Sequence, residues 1–178
     1  MPDQRLAPYR APCLAFALFL LVQAVSAAAL FFLKLGPGVA RVRAFYLGDP
    51  ATFAAPRTLA GLLEVAVPHL LAIPLAIFAV AHVVAFSRGA GARAHRLLVA
   101  VSFACAAAGI AAGFGVRYVA PALAWVKIAA FVGLEAALVA WAAFLVLVFV
   151  PSAAARGTAR TPRAGRAPRR PRAEEVAS

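Results

Sequence analysis

Three observations predict an all-helical polytopic membrane protein. Four apolar blocks, near Cys13 to Leu33, Leu59 to Phe86, Leu97 to Val116 and Pro121 to Val150, each supply the roughly 20 residues that cross about 30 Å of hydrocarbon as a helix. The chain is 65% hydrophobic and 13% charged, so apolar side chains must face lipid as well as one another. The blocks lack the alternating polarity of barrel strands and run two to three times their length. Residues 1–150 are therefore expected to form an antiparallel four-helix transmembrane domain, and 151–178 a separate tail.

The first span follows Arg5 and Arg10 and continues apolar through Leu30-Phe31-Phe32-Leu33. Val25-Ser26-Ala27-Ala28-Ala29 resembles a cleavage site, but no polar mature start follows it, so the span reads as a retained anchor. Gly36-Pro37-Gly38 stops it. In the loop beyond, Val39, Val42, Phe45 and Tyr46 recur at helical spacing opposite Arg41, the pattern of a short helix flat on the membrane; an irregular loop is the alternative.

The second span holds Pro68 and Pro74, each of which removes a backbone donor, so a kink or an unwound section is expected there. The third carries Gly109, Gly113 and Gly115, small residues that let another helix approach closely. The turn Arg117-Tyr118-Val119-Ala120-Pro121 is short, which makes spans three and four a tight hairpin. Cys13 and Cys105 should differ in depth by about 13 Å, too far for a disulfide.

The net charge of +12 would suit nucleic acid, but its distribution argues for topology. Arg5, Arg10, Arg88, Arg93, Arg96 and the tail residues Arg156, Arg160, Arg163, Arg166, Arg169, Arg170 and Arg172 fall on one side of a four-span chain. Lys34, Arg41, Arg43, Arg57 and Arg117 fall on the other. Twelve against five places both termini in the cytoplasm by the positive-inside rule. The Arg, Pro and Ala-rich tail has no hydrophobic periodicity, is expected to be disordered, and its arginines suit anionic lipids of the inner leaflet.

The residues open to functional interpretation are the polar ones inside the spans. Glu64 and Lys127 lie at similar depth near the outer interface, where each can snorkel or the two can pair. Glu135 sits about 12 Å deeper than Lys127 and must be protonated, paired or in contact with a polar cavity. His69 lies about 7.5 Å below Glu64, which brings it toward the depth of Glu135. Such a set suits a proton relay or a quinone head group; a structural hydrogen bond is the bland alternative.

Haem b is the other cofactor to weigh, through His69, His82 or His95. His69 and His82 face about 220° apart on one helix and cannot ligate one iron, whereas His82 and His95 are close in depth. No CxxC, HExxH or phosphate-binding glycine loop is present, and no metal site or catalytic residue is expected.

Gly61-Leu62-Leu63-Glu64-Val65 with His69, Pro74 and His82, then Val116-Arg117-Tyr118-Val119 with Pro121 and Lys127, resembles a group of small four-helix bacterial inner-membrane proteins of uncharacterised function. The resemblance covers about residues 55–150. It implies a bacterial inner-membrane location and draws attention to Glu64, His69, His82, Arg117 and Lys127. The expected function is that of a non-enzymatic membrane subunit or accessory protein, acting with a membrane-protein partner or as a homo-oligomer, whose polar set serves a redox- or proton-linked process. The alternatives are a b-type cytochrome and a small carrier with a broken second span.

Overall fold

A computed structural model describes residues 8–86 and 91–150. Arg5, Arg88 and the seven tail arginines lie outside the described residues. Four long helices, α1 (Arg10–Lys34), α3 (Leu59–Ala85), α4 (Ala92–Tyr118) and α5 (Ala124–Phe149), are joined by a short helix α2 (Val39–Leu47) and two single 3₁₀ turns at Pro50–Thr52 and Pro121–Leu123. In each long helix only 22 to 28% of the apolar window is buried inside the protein, and the remainder faces outward. That proportion suits a helix bathed in lipid, and with the length of the four helices it makes this a multi-pass membrane protein.

The ends of α1 and α4 extend beyond the apolar blocks, to Arg10 and to Ala92. A helix that leaves the hydrocarbon can carry charge at little cost, so hydropathy underestimates its length. The unwound section expected as one outcome at Pro68 and Pro74 is absent, because α3 runs unbroken from Leu59 to Ala85. Each proline withdraws one amide donor from the carbonyl four residues earlier, and the surrounding turns hold the helix together. The Thr58 hydroxyl caps its start by accepting from the Gly61 amide at 3.1 Å.

α5 is sandwiched between α1 and α4, and α3 packs mainly on α4 with a lighter contact to α5. α1 and α3 are not packed along one another, so a gap remains between them. Close approaches set the α4/α5 register: a Cβ on Gly133 would stand 2.7 Å from Cys105 Sγ, and one on Gly109 3.7 Å from Ala130 Cβ. Both cysteines are free. At the end of the bundle away from α2, Trp141 is fully buried and its indole N–H donates to Ser102 Oγ at 3.0 Å. Ser102 in turn donates to the Leu98 carbonyl, and the His95 ring meets Trp141 edge-on.

At the other end α2 is drawn into the bundle, with Val42 and Tyr46 buried against α4 and α5. It is thus a packed helix and not merely one resting on the membrane. The arginines of this end tie backbone together: Arg43 donates to the Pro121 carbonyl and Arg117 to the Arg57 carbonyl, each at 3.0 Å. Gly48 makes the turn after α2 at φ +84°, where a Cβ would lie 2.6 Å from the Ala54 carbonyl oxygen.

Candidate functional site

The gap between α1 and α3 holds a cavity of about 420 Å³, roofed by Phe45 and Tyr46 of α2 together with Arg57. Its walls are Gln23, Ser26, Ala27, Leu30 and Lys34 of α1, Leu62, Val65, Ala66 and His69 of α3, and Lys127 of α5, with α4 closing the back. Phe31 and Phe131 also line it and stack on one another, ring centroids 4.0 Å apart. Leu30 and Val65 are 54% and 61% exposed, so the cleft opens sideways, in the direction lipid would occupy.

His69 and Lys127, singled out by the sequence, meet in this cleft, and Glu64 does not join them. Glu64 is exposed on α3, and among the described residues it forms no ion pair with Lys127. The Lys127 ammonium instead donates to the Gly109 carbonyl of α4 at 2.7 Å. The Gly109–Ala130 approach places Lys127 level with about residue 112, so the side chain reaches roughly three residues, or about 4.5 Å, further toward the bundle centre. Lysines near a helix end normally bend the other way, toward water. The snorkelling expectation for Lys127 is therefore overturned.

His69 donates its Nδ1–H to the Val65 carbonyl at 2.6 Å, since a carbonyl can only accept. That bond fixes the tautomer of the neutral ring and leaves Nε2 as an acceptor. No hydrogen bond joins His69 to Glu135. The Phe31–Phe131 stack sets the α1/α5 register, which puts Glu135 one turn beyond Phe131 and level with about Ala27. Its Oε2 is buried with no hydrogen-bond partner.

The histidines toward the opposite end do not assemble a bis-His site. His95 donates Nε2–H to the Ala81 carbonyl of α3 at 3.0 Å. His82 is exposed between Phe78 and Phe86 on its own helix, in ring contact with both. Among the described residues no three His, Cys, Asp or Glu side chains are grouped to hold a metal ion.

Tyr46, Arg57, Gln23 and Ser26 also line the cavity, although they are not among the residues that the sequence singles out for function. The helical spacing of Val42 and Tyr46 held the signal for the first of these; nothing local marks the others, which α1 and the loop bring in from a distance. The Arg57 guanidinium lies 4.2 Å from the Phe45 ring centroid, a cation–π contact that keeps it at the roof. Burial pushes the Tyr46 hydroxyl up to about 12 from its ordinary 10, with Arg57 opposing. A raised value means that the neutral phenol stabilises the folded form below pH 10 and that this contribution drains away as pH rises toward 12. Tyr46→Phe should flatten that alkaline loss in melts taken across the interval; an unchanged profile would show that the hydroxyl is not buried in the folded protein.

Fold and cleft together define a four-helix integral membrane protein with a largely apolar cavity, carrying a few polar groups, at one end. Residues 36–156 match the model of the Aq_1264_TM family, described as a transmembrane helical domain, and the chain belongs to that family. The match takes in α2 to α5 and begins after α1. No curated protein and no solved structure matches the chain.

Proposed function

We propose that this protein is a non-enzymatic membrane subunit or accessory protein whose cleft between α1 and α3 holds the head group of a lipid-phase molecule, in support of a redox- or proton-linked process. The observation that carries this reading is the inward-turned Lys127, which shares with His69 a cavity open toward the bilayer. A volume of about 420 Å³ falls within the range of small-molecule sites, and its lining is apolar with a few polar groups, as such sites are. The free Nε2 of His69 is the atom suited to exchange a proton with an occupant. The proposed setting is a bacterial inner membrane with both termini cytoplasmic, which puts the α2 end and the cleft on the outer side.

Native mass spectrometry of protein extracted in a minimum of detergent tests the reading. Wild type should retain a small-molecule adduct, and Ser26→Trp, which fills the cleft from an exposed position on α1, should lose it. Wild type free of any adduct would overturn the proposal. A stoichiometric Soret band lost on changing His69 would replace it with the cytochrome reading.

A further inference from the structure

We propose that the occupant of this cleft is an amphiphile with an anionic head group, a carboxylate or a phosphate, whose chain leaves between α1 and α3 into the bilayer. This rests on the cleft being a binding site, and goes beyond it by fixing the charge class of the ligand. Three cationic side chains, Lys34, Arg57 and Lys127, line the cavity, together with His69, and no Asp or Glu is among its lining residues. The acidic residues nearest in sequence do not reach it: Glu64 is exposed on α3, and Glu135, level with about Ala27, is not among the lining residues.

Lys127 shows most directly what is missing. An ammonium has three N–H donors, and in this protein one of them goes to the Gly109 carbonyl. A cation held in a low-dielectric cleft needs a counter-charge or further acceptors, and among the described residues the protein supplies no carboxylate to it. Anionic oxygens supply both at once, through short charge-assisted hydrogen bonds. Arg57 at the roof and Lys34 at the end of α1 add two further cations to the lining, above the side opening. Gln23 and Ser26 add neutral polar groups along α1, and Leu30, Ile110 and Phe114 offer apolar surface to the first methylenes of a chain.

The source of the anion follows from the opening. Leu30 and Val65 are exposed at the side of the bundle, while Phe45, Tyr46 and Arg57 cover the top. A water-soluble anion would have to pass the roof, whereas a membrane amphiphile slides in laterally with its tail still in lipid.

Protein reconstituted in phosphatidylcholine nanodiscs can be titrated with oleate, phosphatidylglycerol, inorganic phosphate and a neutral short-chain ubiquinone analogue, with the melting temperature and native mass spectra as readouts. Oleate or phosphatidylglycerol should bind saturably, phosphate and the quinone analogue should not. Lys127→Met should weaken that binding by at least about tenfold and Lys127→Arg should recover part of it. Should Lys127→Met fail to fold, Arg57→Gln serves the same purpose at the roof. Phosphate binding as well as the lipids would overturn the lateral amphiphile. Saturable binding of the neutral quinone analogue, unaffected by Lys127→Met, would overturn the anionic class and leave the cleft as a site. Binding of no amphiphile at all would remove both.

Discussion

Trp141→Ala is expected to cost this protein more than any other single truncation, about 3 kcal/mol in detergent or bicelle unfolding. The indole is fully buried in a core cluster that draws Leu20 from α1, Val80 and Val84 from α3 and Leu145 from α5, and it bonds Ser102 of α4. In a membrane the transfer of apolar atoms from water contributes little to association, because the separated helices already lie in hydrocarbon. What remains is the void: removing the ring opens on the order of 140 Å³, at about 24 cal/mol per Å³ of unfilled space. Trp141→Phe should cost about 1 to 1.5 kcal/mol, since it keeps a ring and forfeits the bond to Ser102. Equal losses for Ala and Phe would mean that the hydrogen bond, and not the packing, holds this end together.

The number, order and type of the spans could be read from the sequence because hydropathy and helix rise act along the chain. Position along a helix axis could be read for the same reason. Lys127 lies one turn inside α5, and Glu135 stands about eight residues further along the same helix. Azimuth could not. Helices that face lipid are apolar all round, so no stripe marks the side that packs, and the sequence offers no way to choose between Glu135 and the Gly109 carbonyl as neighbours for a polar group. The close approaches that settle the matter are glycine positions whose partners are distant in sequence: Gly133 with Cys105, and Gly113, where a Cβ would stand 3.2 Å from the Tyr46 hydroxyl. The basic residues of the α2 end illustrate the same limit. Counted as topology charges, Arg43 and Arg117 also donate to the carbonyls of Pro121 and Arg57 and tie the backbone of the α2 end together.

Glu135 gives the second large effect, and its sign is the informative part. In the isolated protein Oε2 is buried without a partner, so Glu135→Leu removes an unmet desolvation cost and should stabilise the bundle by about 1 to 3 kcal/mol. Glu135→Gln keeps a buried polar group at the same place and should gain much less. His69 bonds to its own helix at Val65, so the effects of Glu135→Leu and His69→Leu should add within about 0.5 kcal/mol, as for independent sites. A clear coupling between them would restore the polar path running from the cleft to Glu135. If Glu135→Leu instead destabilises the protein in a lipid bilayer while stabilising it in detergent, the carboxyl has a partner that only the membrane provides, and cross-linking from position 135 would then tell a second copy of this chain from a bound lipid.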